Sequence, residues 1–175
     1  APADHSRYVQ RIRRRYASDI EAAILPPDRV PRTAEIAAAI DSLQDKGREL
    51  GSALRVTRQL VLERLATLDV EAGASLADIT GAMTELAEVT LDRALAAAEA
   101  ECDARFGAPL NEQGQRVDLW VVGMGKLGGR ELNVSSDIDL IYVYEDDGTT
   151  DGAQPLSAHE YFARLAKSLY TLIGE

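Results

Sequence analysis

Only eight residues separate Gly128 from Asp137, and that short interval constrains the fold more than any other feature of this chain. Upstream of it, Gly123-Met-Gly125-Lys-Leu-Gly128 follows the apolar run Val117 to Val122 and matches the G-x-G-x-x-G pattern of a dinucleotide-binding turn. In that fold the third glycine opens a full crossover helix, and a single acidic residue follows about 20 positions on, after the next parallel strand. Eight residues cannot contain such a crossover. The acids also arrive as a pair, Asp137 and Asp139. A phosphate-loop reading fails too, because Gly125-Lys126 is followed by Leu127 where a metal-binding Ser or Thr is required.

What fits is a strand over about Val117 to Val122, a glycine turn, a helix of about two turns, and a second strand over about Ile138 to Tyr144. Alternate residues of a strand share a face, so Asp137 and Asp139 are expected to project together, with Ile138 turned the other way. Two adjacent anions call for a cation, and divalent Mg²⁺ takes hard oxygen ligands. Glycines bring backbone N–H groups close to phosphate oxygens because no Cβ intervenes. A metal-bound phosphate suits this arrangement. The bland alternatives are a solvated strand end for the acids, and turn geometry with helix capping for the glycines and Ser135-Ser136. Arg130 and Glu131 read as an exposed salt bridge.

At 175 residues and 46% apolar, the chain is in the globular range. A net charge of -10 argues against a non-specific nucleic-acid binder. Basic residues cluster near the start, at Arg7, Arg11, Arg13, Arg14 and Arg15, and most such runs are solvated faces. Cys102, the only cysteine, cannot close an internal disulfide, which fits a reducing cytoplasm, and its helical apolar setting points to core packing. No stretch approaches the roughly 20 apolar residues of a membrane span. The chain begins at Ala1 without an initiator methionine and stops at Glu175 straight after a helical pattern. These ends suggest a piece of something longer.

The first hundred residues read as helices. Tyr8, Val9, Ile12, Tyr16 and Ile20 predict one helix ending before Pro26-Pro27; Ile36 to Leu43 predict a second, Leu50 to about Asp69 a third. Ser75-Leu-Ala-Asp78 has the form of a capping box ahead of a fourth helix running to about Phe106. After the loop at Gly107 come the two strands, a polar loop from Glu145 to Pro155, and a last helix opened by Ser157-Ala-His-Glu160. The expected fold is α+β and predominantly helical: a helical bundle over residues 1–106, then a partial catalytic domain with a small sheet over residues 107–175. Two strands alone are marginal in water and need helices or further strands against them.

The run Gly-Met-Gly-Lys-Leu-Gly-Gly-Arg-Glu-Leu-Asn-Val-Ser-Ser-Asp-Ile-Asp-Leu-Ile closely resembles the signature of the bacterial bifunctional glutamine synthetase adenylyltransferase/adenylyl-removing enzymes, members of the polymerase-beta-like nucleotidyltransferase superfamily. The resemblance is strong from Val117 to Tyr144, looser from Leu54 and in the last helix, and slight over residues 1 to 50. It implies a cytoplasmic enzyme that works with Mg²⁺, ATP or ADP and phosphate on glutamine synthetase, and that answers, in the full-length protein, to the PII signalling protein. Neither nucleic acid nor membrane is implied as a partner.

By the resemblance, Asp137 and Asp139 hold Mg²⁺ and serve catalysis, while Gly125, Lys126, Gly128 and Gly129 border the nucleotide phosphates with Ser135 and Ser136 as hydroxyl donors. Gly125-Lys126 departs from the glycine-glycine or glycine-serine pair of the wider superfamily, though not from this family. The superfamily's third carboxylate, on a later strand, has no counterpart here; Asp146, Asp147 and Asp151 read as solvated turn residues. The chain alone is therefore expected to be catalytically incomplete. Family members carry two such catalytic halves, and the arginine-rich opening helix favours the adenylyl-removing one. The adenylylating half, a helical protein-binding module with an idle metal site, and a nucleotidyltransferase with another acceptor stay open.

Overall fold

The computed structural model describes residues 6–174; Ala1 and Glu175, the termini noted above, lie outside them. It is an α+β structure in which helices predominate. The chain separates into two compact units. One reaches to Thr90 and takes in Lys126–Asp137, and the other consists of Leu91–Gly125 and the residues from Ile138 onward.

In the first unit, Ser6 opens α1 (Arg7–Arg15) by accepting the Val9 N–H at 3.4 Å. The single helix predicted from Tyr8 to Ile20 comes instead as two, because Tyr16 leaves helical geometry at φ -119°, ψ 30° before α2 (Ala17–Ala23) begins. Ile24 then takes a left-handed conformation ahead of Pro26-Pro27, which cannot continue a helix. α3 (Thr33–Asp45) starts where the Glu35 carboxylate accepts the Arg32 N–H at 2.8 Å. α4 (Leu50–Ala72) ends at Gly73, whose left-handed backbone returns its N–H to the Leu68 carbonyl.

The predicted apolar faces meet here. Val9, Ile12, Ile36, Ile40, Leu43, Leu54, Val61 and Leu65 are all buried, which brings α1 and α3 onto α4 and supplies the main driving force of this unit. Two ion pairs fix the packing. Arg48 grips Asp19 through both guanidinium arms at 2.8 Å, and Arg13 donates to Glu63 at 2.7 Å and to Thr67 at 3.1 Å.

The fourth predicted helix is α5 (Leu76–Phe106), which continues across the division at Thr90 and Leu91. Its capping is half a box: Ser75 accepts the Asp78 N–H at 3.1 Å, but Asp78 takes the serine hydroxyl at 2.7 Å. In the second unit, Ala94, Ala98 and Cys102 line the buried side of α5 at four-residue spacing.

Two small antiparallel sheets belong to this second unit. β2 (Leu119–Gly123) pairs with β3 (Leu140–Tyr144), Trp120 opposite Val143 and Val122 opposite Ile141. Both strands begin two residues later than the sequence predicts. β1 (Pro109–Leu110) pairs with β4 (Thr149–Thr150), two strands that the sequence did not announce, the latter inside the expected polar loop. α7 (Ala158–Ile173) carries the full capping box of Ser157 and Glu160, and it buries Tyr161, Phe162, Leu165 and Leu169. Its Tyr161 hydroxyl donates to Asp103 at 2.5 Å, and Arg116 meets the same carboxylate at 2.8 Å. Burial first, and then this hydrogen bond, push the Tyr161 hydroxyl well above the usual tyrosine range.

Candidate functional site

The glycine segment forms one helical turn, α6 (Gly125–Gly128), shorter than the two turns expected. Gly125 sits at φ +55° with nothing within 4 Å of where a Cβ would be, so the glycine serves backbone conformation and leaves open space above it. Arg130 is also left-handed, at φ 56°. That reversal ends the turn early, with the Glu131 N–H donating to the Lys126 carbonyl at 2.9 Å. Gly128 and Gly129 lie exposed beside it.

Within the first unit, Leu127 and Leu132 are buried and anchor the segment. The Leu132 N–H donates to Thr84 Oγ1 at 3.4 Å, and Arg130 pairs with Glu88. That bears out the structural reading of Arg130. The anchoring leaves Lys126 free to reach across the loop, where its Nζ donates to Ser136 Oγ at 3.4 Å. Ser136 Oγ in turn donates to Asn133 Oδ1 at 2.5 Å, and the Ser136 N–H donates to the Asn133 carbonyl at 3.2 Å. Asn133 was missed in the sequence reading; the Asn-x-x-Ser spacing of a side-chain-closed turn was the signal. Ser135 is exposed.

Asp137 and Asp139 precede β3 and do not lie in it, since the regular strand starts at Leu140. The ladder nevertheless extends one step, because the Met124 N–H donates to the Asp139 carbonyl at 2.9 Å. Exposure alternates along this stretch. Asp137, Asp139, Ile141 and Val143 are exposed, whereas Ile138, Leu140, Tyr142 and Tyr144 are partly buried.

Both carboxylates are thus open to solvent, two residues apart. Mg²⁺ is commonly held by one or two carboxylates completed by waters and substrate phosphates, and this donor set fits that description. Among the described residues no group of three or more His, Cys, Asp or Glu side chains gathers that could hold a metal. Among the described residues no helix is long and apolar enough to cross a membrane.

Comparison with known proteins finds matches over most of the chain. Residues 6–175 match the family described as glutamate-ammonia ligase adenylyltransferase. A Burkholderia mallei protein called bifunctional glutamine synthetase adenylyltransferase/adenylyl-removing enzyme is 47% identical over 150 residues, covering 81% of this chain and 16% of the relative. A Ralstonia nicotianae protein of the same name is 41% identical over 181 residues, covering 98% of this chain and 19% of the relative. The chain therefore spans less than a fifth of the length of these relatives.

Proposed function

Since the chain belongs to the glutamate-ammonia ligase adenylyltransferase family, we propose that it contributes part of a nucleotidyl-transfer site acting on glutamine synthetase. The observation that carries this is that Asp137 and Asp139 are both exposed, with eight residues separating Asp137 from a one-turn glycine helix whose Lys126 is held on Ser136. The names of the relatives support the acceptor.

Asp137 and Asp139 would hold Mg²⁺, which when bound neutralises phosphate oxygens and lowers the repulsion met by an incoming nucleophile. Lys126 offers a mobile ammonium to a phosphate oxygen and can exchange its Ser136 contact for it. The open space above Gly125 admits a phosphate close to the backbone. Gly128 and Gly129 keep that side of the turn clear, and Ser135 and Ser136 supply hydroxyl donors. The direction we favour is removal of AMP: an oxygen of inorganic phosphate attacks the phosphorus of the adenylylated tyrosine, the bond to the tyrosine oxygen breaks, ADP leaves and the phenol regains its proton. The arginine-rich helix α1 and the helical lead-in support that half over the one that transfers AMP from ATP. A third carboxylate would come from outside these 175 residues, and PII would act on the longer protein.

Mg²⁺-dependent binding of a fluorescent ADP analogue, measured for the chain and for Asp137→Asn with Asp139→Asn, tests the site. Loss of the Mg²⁺-dependent component in the double variant is expected, and unchanged binding removes the proposal. ADP release from adenylylated glutamine synthetase, against AMP incorporation from ATP, tests the direction in a longer protein containing this chain. The 175-residue chain alone is expected to turn over neither substrate.

A further inference from the structure

The arginine run of α1 has no place in the proposed chemistry, yet the structure separates Arg13 from Arg7, Arg11 and Arg14, with Arg15 over the Tyr16 ring. Arg13 faces the core side, where it pairs with Glu63. Arg7, Arg11 and Arg14 stand four and three residues apart, which puts them in a row along one exposed face of the helix. None of the three has a carboxylate partner among the described residues. Arg11 lies over the Tyr8 ring at 5.7 Å, and Arg14 donates to the Gln10 carbonyl at 3.3 Å.

The chain carries 29 acidic residues against 19 basic ones, so three neighbouring arginines without a carboxylate partner among the described residues form a local excess of positive charge. Arg29, Arg32, Arg48, Arg116 and Arg130 all meet carboxylates. The row on α1 concentrates positive charge away from the acids of the described residues. It also has a shape: Arg7, Tyr8, Gln10, Arg11 and Arg14 line an open surface hollow of about 490 Å³. Tyr8 is fixed at its base by donating to Gln59 of α4 at 3.1 Å. The exposed Arg58 of α4 adds its field to the same place, since it acts on the Tyr8 hydroxyl.

We infer that the Arg7, Arg11 and Arg14 face of α1 is a docking surface for an acidic segment of a partner protein. Seven residues of helix rise about 10.5 Å, too long a row for a single phosphate but matched by three or four residues of extended peptide at about 3.3 Å each. Guanidinium groups receive carboxylates through paired N–H donors, so successive Asp or Glu side chains can each take one arginine. The net charge of -10 opposes any polyanion long or broad enough to meet the rest of the molecule, as nucleic acid and an anionic lipid surface are, whereas a short acidic peptide can meet the arginine face alone.

The test is fluorescence anisotropy of a labelled decaglutamate peptide titrated with the 175-residue chain at low salt. Arg11→Glu with Arg14→Glu is compared with Lys46→Glu and Lys167→Glu, two exposed positions elsewhere that alter net charge equally. The inference expects the arginine pair to weaken binding about tenfold or more and the lysine pair about twofold at most, with affinity falling as salt rises. Equal weakening by both pairs, no binding by the unaltered chain, or binding to anionic vesicles or to a thymidine decamer in place of the peptide would overturn it. If the charge reversal disturbs folding by circular dichroism, Arg11→Gln with Arg14→Gln takes its place under the same criteria.

Discussion

Lys126 Nζ and Ser136 Oγ meet at 3.4 Å across ten residues of loop, and this contact sets the resting position of the one ammonium group in the candidate site. Lysine is a flexible point charge, and 3.4 Å marks a weak hydrogen bond that is easily exchanged. Lys126→Ala should therefore leave the folded structure almost unchanged. A charge-assisted contact to phosphate is worth about 1.5–3 kcal/mol, so phosphate or nucleotide affinity should drop about tenfold or more. Titration of the fluorescent ADP analogue reads the loss, and unaltered affinity would show that Lys126 serves the turn alone.

Much of this architecture was legible because caps and periodicity act locally. Ser157 with Glu160, Ser75 with Asp78 and the apolar faces of α3, α4 and α5 could be read off directly. The break at Tyr16 could not, since neither glycine nor proline marks it. β1 and β4 were hidden for a different reason: each has two residues, and only the long-range pairing of Pro109 with Thr150 makes them strands. In the candidate site, the pairing of Asp137 and Asp139 on one face and the need for glycine at residue 125 were readable from residue type and spacing, whereas the exposure of the acids was not. The Asn133 support for Ser136 shows only as an Asn-x-x-Ser spacing, and the left-handed Arg130 that shortens α6 carries no local signal.

Glu85 should make the first unit acid-sensitive. Burial alone would raise its carboxyl, but the N–H and hydroxyl of Thr33 at 2.7 and 3.0 Å and Arg32 at 3.1 Å hold it below the usual range. A carboxyl depressed in the folded state contributes stability that is full above its unfolded value and is lost as pH falls through the folded one. Glu85→Gln should cost about 1–3 kcal/mol at neutral pH, and the difference from the unaltered chain should shrink as pH falls below the reference value of 4.5. Urea unfolding at a series of pH values tests this; a constant difference would contradict it.

Tyr161 should behave in the opposite sense. It is fully buried and donates to Asp103, which also holds Arg116. Tyr161→Phe keeps the ring but leaves that carboxylate short of a donor, at a cost of about 1–3 kcal/mol. Because the hydroxyl is raised on folding, its contribution is complete below the reference value of 10.0 and declines as pH rises above it. Unfolding measured between neutral pH and the alkaline limit should show the gap between variant and parent narrowing only at the alkaline end.

Gly107 separates backbone strain from steric exclusion. It lies at φ +79°, and a Cβ there would stand 2.3 Å from both Asp151 Oδ1 and the Gly152 nitrogen. The crowding is enforced by paired bonds: Ala108 N–H donates to Asp151 Oδ1 at 2.8 Å, and Asp151 N–H donates to the Ala108 carbonyl at 3.1 Å. Gly114 has a similar φ of +74° but nothing within 4 Å. Gly114→Ala should therefore cost only the left-handed penalty, about 1–2 kcal/mol. Gly107→Ala must also push β4's approach apart and should cost about 3 kcal/mol or more. Equal losses of unfolding free energy at the two positions would mean that the Asp151 loop yields freely, and that its hydrogen bonds to Ala108 contribute little to the second unit.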